Sequence, residues 1–191
     1  MAGDRQLVRR AVAAYFGGTL NTTDGGSVYY SGGSLAASGL GTAWPYAAKG
    51  IPDVFFTQGE PAGTGWGAAM IVQVPAVDIT RQAMGGPTSG WRGRHYDVTC
   101  ELLAISYETH IETAEAAFDD LLDGIEALIY ADRTLGTTSG SYPTGRLITQ
   151  AGEGTRGIRV QAEPFTELGD KRGKYGGYGT LTFEVLTEVE A

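Results

Sequence analysis

Residues 95–135 carry the most regular pattern of apolar and polar positions in the chain. From residue 96 onward the residue types alternate, with Tyr96 and Val98 on one side of the pattern and Asp97 on the other. Toward residue 107 both sides become apolar. A period of two is typical of a strand. We therefore predict a strand over residues 96–107 that is covered on both faces at one end.

A long amphipathic helix is predicted directly after this strand. Thr109 and Glu112 have the T-x-x-E spacing of a capping box, in which the two side chains satisfy free amide groups of a first helical turn. The apolar residues that follow recur every three or four positions and form one stripe: Ala114, Ala117, Phe118, Leu121, Leu122, Ile125, Leu128 and Ile129. The opposite side is acidic: Glu115, Asp119, Asp120, Asp123 and Glu126. We expect the stripe to face the core and the acidic side to face water.

Other segments of the chain have weaker patterns. Residues 4–16 predict an N-terminal helix that Gly17 and Gly18 end. Strands are predicted over residues 69–74, 77–81, 146–151, 157–165 and 180–189, the first of them closed by Pro75. Residues 21–67 are dense in Gly, Ser, Thr and Pro, and only residues 28–30 and 54–57 favour an extended conformation there.

These elements predict an α+β fold. A mainly antiparallel mixed sheet is expected to pack against the one long amphipathic helix and the N-terminal helix, with long loops rich in glycine and aromatic residues. Residues 1–191 are predicted to form a single domain, in which residues 21–67 are an irregular loop or insertion region.

Composition restricts the class of protein. With 42% hydrophobic residues the chain has enough apolar side chains for one core, and no apolar run approaches the length of about 18 residues that a membrane span needs. The first twenty residues lack the pattern of a secretory leader, and Cys100 is the only cysteine, so a reducing cytoplasm is expected. The net charge of −8 disfavours DNA binding, because phosphate contacts require clustered basic residues.

Motifs that carry chemistry are not found in a supporting context. The G-x-G-x-x-G string at residues 152–157 precedes a predicted strand, so no helix N-terminus follows it to hold a pyrophosphate, and we interpret it as a turn. The glycine cluster at residues 173–179 is interpreted as a turn or as a strap onto a partner. His95 and His110 are the only histidines, and no nucleophile motif or metal-ligand spacing accompanies them. No catalytic residue, cofactor or metal site is predicted, and the protein is not expected to be an enzyme.

Two further groups of residues suggest contacts with other molecules. Arg5, Arg9 and Arg10 lie on the wet side of the first helix, where either solvation or pairing with acidic neighbours would account for them, and contact with DNA or protein stays open. The aromatic residues of the region 21–67 would either cover a core edge or form an interface. A stacking platform for single-stranded nucleic acid would need basic residues beside the rings, and Lys49 stands alone.

The order of elements, together with several short strings, resembles the tail terminator proteins of long-tailed bacteriophages, especially those of actinobacterial phages. The strings are V-x-V-P at residues 72–75, D-I-T-R at 78–81, glycines at 85, 86 and 90, R-H-Y-D-V at 94–98 and L-I-T-Q-A-G at 147–152. The similarity covers about residues 50–190, and the region 21–67 departs from the compact members of that family.

This resemblance implies a mixed α/β fold and a structural role in the virion. Such proteins form a hexameric ring at the head-proximal end of the tail tube, end its growth and present a docking surface for the head–tail connector. DNA would pass through the ring without specific binding, no cofactor or membrane would be involved, and assembly would take place in the host cytoplasm. Ring and partner contacts are expected from residues 82–94 and from Tyr29, Tyr30, Trp44, Tyr46, Phe56, Trp66, Arg81, Trp91 and Arg92. The lumen is expected to be lined by acids from among Asp97, Glu101, Asp119, Asp120 and Asp123.

Three other functions are compatible with the sequence. The chain could be a different head–tail connector or a minor tail protein of the same assembly, although its dominant sheet and helix differ from the helical bundles and small barrels that are common among connectors. It could also be a small-molecule enzyme that uses a pair of carboxylates in an apolar pocket. A monomeric binding module is the third alternative.

Overall fold

Three strands of 16 residues form the centre of the molecule: β4 (Trp66–Arg81), β5 (Trp91–Ser106) and β8 (Tyr175–Glu190). The computed structural model describes residues 4–46, 65–81, 91–107, 111–137, 148, 150–152, 157–169 and 174–190. The shorter elements in this part of the chain are α1 (Asp4–Gly17), β1 (Gly18–Thr22), β2 (Val28–Gly32), a 3-10 turn (Ala36–Ser38), β3 (Leu40–Trp44), α2 (Ile111–Ala131), β6 (Gln150–Ala151) and β7 (Arg159–Glu167). The predicted α+β fold with a mixed sheet is confirmed, since the described residues form two α-helices and one sheet of eight strands.

The strands lie side by side in the order β1, β2, β3, β4, β5 and β8. The outer edge of β8 pairs with β6 along one part and with β7 along another. Every pair is antiparallel except β3 with β4, which is parallel. β5 pairs with β8 along its whole length, from Trp91 opposite Glu190 to Ser106 opposite Tyr175. This long central ladder determines which face of the sheet each residue of the middle strands occupies.

Pro75 does not end the strand that contains it, contrary to the prediction. β4 continues to Arg81, and its pairing with β5 shifts register between Gln73 and Ala76. A proline has no N–H to give to a ladder, and a bulge leaves one residue out of the ladder. The bulge therefore accommodates Pro75 and lets the predicted strands 69–74 and 77–81 form one element.

Both helices cover the same face of the sheet. α1 contributes Val8, Val12 and Phe16 to the core, and α2 contributes six buried residues: Ala114, Phe118, Leu121, Leu122, Ile125 and Ile129. These side chains belong to one cluster with alternate residues of the long strands: Met70, Val72, Val74, Tyr96, Val98, Cys100, Leu102, Leu181, Phe183 and Val185. The Tyr15 hydroxyl donates to the Leu128 carbonyl oxygen at 2.9 Å and connects the two helices. Residues at the intervening strand positions, such as Asp97, lie on the opposite face, away from the helices.

The region 21–67 contains more regular structure than predicted. β2 pairs with β1 as an antiparallel hairpin, and β3 joins β4 in the parallel pair. All five residues of β3 are buried, so neither face of this strand is marked by polar residues. A short strand with an internal glycine and no alternation gives no strand signal, and for this reason β3 was missed. The candidate strand at residues 54–57 lies outside the described residues.

The carboxylate of Asp132 organises the chain after α2. It accepts hydrogen bonds from the Thr134 hydroxyl at 2.6 Å, the Thr134 amide at 2.9 Å and the Gly136 amide at 2.9 Å. Leu135, between these donors, has a left-handed φ of 48° and is buried. The hydrogen bond from the Thr134 side chain is the main reason why the pKa of Asp132 lies below its ordinary value. These hydrogen bonds offset the strain of the left-handed residue.

The lowered pKa of Asp132 predicts a contribution to stability that depends on pH. The hydrogen bonds favour the charged form, so the contribution is present above the ordinary pKa of 3.8 and is lost as the pH falls through the lower pKa of the folded state. We expect Asp132→Asn to destabilise the protein at pH 5 and to have a smaller effect at pH 3, as measured by urea unfolding. An equal difference between the two proteins at both pH values would contradict this expectation.

The hydroxyl of Thr137 is a buried hydrogen-bonding group between two separate segments. It donates to the Thr134 carbonyl oxygen at 2.7 Å and accepts from the Ile148 amide at 3.0 Å. Thr137 and Ile148 are both almost completely buried, so water does not replace these bonds. The hydroxyl therefore attaches residue 148 to the turn after α2.

Thr137→Val is expected to destabilise the protein by about 1–3 kcal/mol, because it leaves the Ile148 amide buried without an acceptor while conserving the side-chain shape. Urea unfolding followed by circular dichroism measures the loss. Thr22→Val, at an exposed position of β1, is the matched control and should change stability by no more than about 0.5 kcal/mol. Equal effects of the two substitutions would mean that the Thr137 hydroxyl is not part of the folded core.

Candidate functional site

Two of the predicted interface aromatics lie inside the protein. Tyr30 is 8% exposed and Trp44 is 2% exposed. The indole N–H of Trp44 donates to the Thr42 hydroxyl at 2.9 Å, so its polar atom is also satisfied internally. Their strands join the sheet, and both side chains support the fold. The prediction that Tyr30 and Trp44 contact a partner is therefore corrected: these side chains are not presented at the surface.

The other described aromatics of that group differ in exposure. Tyr29 is half-buried and stacks on Trp44 with ring centroids 5.0 Å apart. Trp66 is half-buried against Gly39, where a Cβ would lie only 2.5 Å from the indole ring. Tyr46 is 36% exposed, and the Arg9 guanidinium lies 5.6 Å from its ring centroid. Of these three, Tyr46 has the side chain most available to a partner.

Most of the remaining predicted interface residues have no described side chain. Arg94 is half-buried in β5, opposite Ile79. Phe56 and residues 82–90 lie outside the described residues. The backbones of Arg81 and Arg92 are paired at the far end of the β4–β5 hairpin, next to Trp91. The structure therefore leaves their predicted contacts as predictions.

The predicted lumen acids form two groups on opposite sides of the sheet. Asp97 and Glu101 belong to β5 and lie on the face away from the helices, because their neighbours in the strand point into the core. The second group is exposed on α2, which covers the other face: Asp119, Asp120 and Asp123. A single lumen would be lined by one group or by the other.

The helix-free face of the sheet carries a cleft of about 550 Å³. Asp97 and Glu184 are directly opposite each other in the β5–β8 ladder, and Arg159 lies at the edge of the same cleft. Like charges in directly opposed positions destabilise a sheet. The residues that line this cleft carry two carboxylates and the one cation of Arg159, so the cleft is negative overall.

A second group of acidic residues, Glu101 and Glu163, lies on the same face beside Tyr178. The hydroxyl of Tyr178 is hydrogen-bonded to Glu101, and its pKa is raised by burial first and by the charges of Glu101 and Glu163 second. The raised pKa keeps the phenol neutral, so it donates to Glu101 and does not add a charge of its own. Acidic residues thus extend along β5, β7 and β8.

The described residues include no cluster suited to a metal ion, and their one cysteine is buried. No group of three or more His, Cys, Asp and Glu side chains in the described ranges is arranged to hold a metal ion. Cys100 is buried, and burial raises the pKa of its thiol far above the usual range, so the thiolate needed for a nucleophile does not form. His95 lies in β5 opposite Asp78 and Leu186, and His110 lies outside the described residues.

Sequence reasoning missed a groove of about 220 Å³ between α2 and β7. Its apolar floor contains Phe118 and Phe165, whose rings meet edge to face with centroids 5.7 Å apart. Glu115 and Asp119 of α2 lie at its rim, and a Glu115 carboxylate oxygen accepts from the Phe165 amide at 2.9 Å. This bond holds β7 at its bulge, between Glu163 and Thr166.

Glycines of β8 make room for the side chains beneath this groove. A Cβ at Gly179 would lie 2.9 Å from the Phe118 ring, and one at Gly177 would lie 2.3 Å from the Phe165 ring. The glycine cluster at residues 173–179 was predicted to be a turn, and this prediction is wrong from residue 175 onward, where β8 begins. Glycine is found in strands where another group approaches the backbone closely, and that is its role here.

The outer side of α1 is basic. Arg5 and Arg10 are exposed, and Arg9 is half-buried beside Tyr46. α1 packs on β1, β2, β3 and β4, whereas α2 packs on β5, β7 and β8. The basic helix side and the groove between α2 and β7 therefore lie toward opposite ends of the sheet.

Comparisons with known proteins do not assign this chain to a family. Neither a scan against protein-family models nor a search of curated proteins finds a match. Among the described helices, none combines the length and the apolar character required for crossing a membrane.

Proposed function

We propose that this protein is a structural virion protein, a ring-forming tail terminator that caps the head-proximal end of a phage tail tube. It stops polymerisation of the tube protein and joins the tail to the head–tail connector. The observation that carries the proposal is the order of elements: an N-terminal helix, the strand with V-x-V-P, the R-H-Y-D-V strand, an acidic helix and the following strands. This order is the basis of the resemblance to tail terminators.

The sheet supports an architectural role. Three strands of 16 residues pair side by side at the centre of the sheet, and α2 packs on them as a long amphipathic helix with its acids outward. Residues 1–191 act as one domain. A sheet of this size with charged surfaces on both sides is suited to hold neighbouring subunits at fixed angles.

The charge supports passage of DNA through the ring. The chain has a net charge of −8, and an acidic lumen offers no cations to replace the counterions of the duplex, so DNA slides through without being held. We assign the lining to the helix-free face that carries Asp97 and Glu101, since the helices then lie on the outside of the ring. Subunit contacts in a six-membered ring are made at the two ends of the sheet.

Purified protein and purified tube protein provide the test. Native mass spectrometry should detect hexamers, and electron microscopy should show rings with an open centre. When added to polymerising tube protein, the rings should bind one end of each tube and arrest growth. A protein that stays monomeric and never binds tube ends would contradict the proposal, and rings that bind the connector without limiting tube length would favour a neck protein instead.

A further inference from the structure

We infer that copies of this chain associate head to tail, with the basic side of α1 in one copy lying in the groove between α2 and β7 of the next copy. This inference rests on the proposed ring and names the two surfaces that form it. It concerns residues that the sequence did not single out as a pair of surfaces.

The positions of the two surfaces favour a head-to-tail contact. α1 lies over β1 to β4, and the groove lies at the β7 end of the same sheet. A contact between two different surfaces of identical subunits leaves one surface of each kind free, so further copies add until a ring closes. The two surfaces lie toward opposite ends of one sheet, as a ring in which each copy contacts two neighbours requires.

The charges of the two surfaces are complementary. Glu112, Glu115 and Asp119 recur at three- and four-residue spacing and form one ridge of α2, and the sequence of α2 contains no basic residue. Arg5 and Arg10 are exposed on α1. Within the described ranges, Arg5, Arg10, Glu112 and Asp119 form no ion pair. Opposite potentials on the two surfaces attract unlike surfaces and repel like ones, which disfavours contacts of α1 with α1 and of groove with groove.

Exposed apolar side chains accompany the charges at the α1 end, whereas at the groove Pro164 is exposed and the rings of Phe118 and Phe165 are almost completely buried. Tyr46 and Leu20, which is 57% exposed, lie at the α1 end of the molecule. At the other end the groove floor is formed by Phe118, Pro164 and Phe165. Aromatic and apolar side chains at the centre of an interface, surrounded by charged groups, are the usual arrangement of a protein contact.

Side chains, and not strand pairing, have to make this contact on the β7 side. β7 carries Pro164, which has no N–H, and a register shift between Glu163 and Thr166. Proline, charges and bulges on an edge strand prevent another strand from pairing with it. The groove above that edge, between β7 and α2, is the surface left for a neighbour, and a second copy provides the complementary charge.

Charge reversal on each surface tests the inference with the full chain. Arg5→Glu with Arg10→Glu reverses the α1 surface, and Glu112→Arg with Asp119→Arg reverses the groove surface. Each double variant alone should be monomeric, with association weakened by about a hundredfold or more relative to the wild type. An equimolar mixture of the two should form rings again, in which the two variants alternate, because each reversed surface then faces its complement.

Native mass spectrometry and negative-stain electron microscopy measure the outcome. The control is the variant Asp78→Arg, which reverses an exposed residue on the helix-free side and should assemble like the wild type. Recovery of rings in the mixture also shows that both double variants are folded. Rings formed by either double variant alone would overturn the inference and leave the proposed function standing. The same holds if the two double variants fail to assemble when they are mixed. A wild-type chain that forms no ring would overturn both.

Discussion

Leu122→Asp is expected to abolish the folded state. Leu122 is 2% exposed and belongs to the core cluster between α2 and the sheet. An unpaired carboxylate at such a position costs several kcal/mol, and more if it stays charged, which is comparable to the total stability of about 5–15 kcal/mol of a domain. Circular dichroism and urea unfolding should show the loss of a cooperative transition.

Two matched variants separate the buried charge from other causes. Asp120→Asn, on the exposed side of the same helix, should change the free energy of unfolding by no more than about 0.5 kcal/mol. Leu122→Ala leaves a cavity without a charge and should cost about 2–5 kcal/mol. If Leu122→Asp and Asp120→Asn damaged the protein equally, the inward and outward sides of α2 would be assigned wrongly.

Gly18→Ala is expected to have the second largest effect, a loss of about 3–5 kcal/mol. Gly18 joins α1 to β1 and has a left-handed φ of 95°. A Cβ there would lie 2.5 Å from the backbone nitrogen of Gly33, whose N–H donates to the Gly17 carbonyl oxygen. The added methyl group therefore meets backbone that is held in place by this hydrogen bond, and urea unfolding measures the result.

Gly26→Ala is the control for the backbone angle alone. Gly26 has a similar φ of 80°, but nothing lies within 4 Å of an added Cβ. Its loss should be limited to the strain of the left-handed conformation, about 1–2 kcal/mol. If Gly26→Ala lowered the stability as much as Gly18→Ala, the backbone angle alone would account for both effects. The close approach of Gly33 would then not be the cause.

The elements with strong periodicity were the ones that could be predicted. One face of β5 is covered by the helices and the other is polar, so apolar and polar residues alternate along the strand. β3 has no such contrast, because all five of its residues are buried. The rule that proline ends a strand failed at Pro75, where a bulge removes the need for an N–H. Glycines were interpreted as turns in β8, where they instead leave room for Phe118 and Phe165.

The candidate surfaces were predicted only as lists of residue types. The acidic residues of β5 and α2 were identified, but the sequence does not show that a sheet separates Asp97 from Asp119. The count of aromatic residues likewise gave no means of separating the buried Trp44 from the exposed Tyr46. The groove between α2 and β7 requires Glu115 to meet Phe165, and only the tertiary structure brings these distant positions together.

The long ladder between β5 and β8 also sets how the chain reaches its native state. Even the residue pair with the smallest separation in the sequence joins Ser106 to Tyr175, with α2, β6 and β7 between them. Closing so large a loop loses chain entropy before any contact between β5 and β8 compensates for the loss, so such topologies fold slowly. Until this pair of residues forms, one edge of β5 has no neighbouring strand. The polypeptide is then most prone to aggregate.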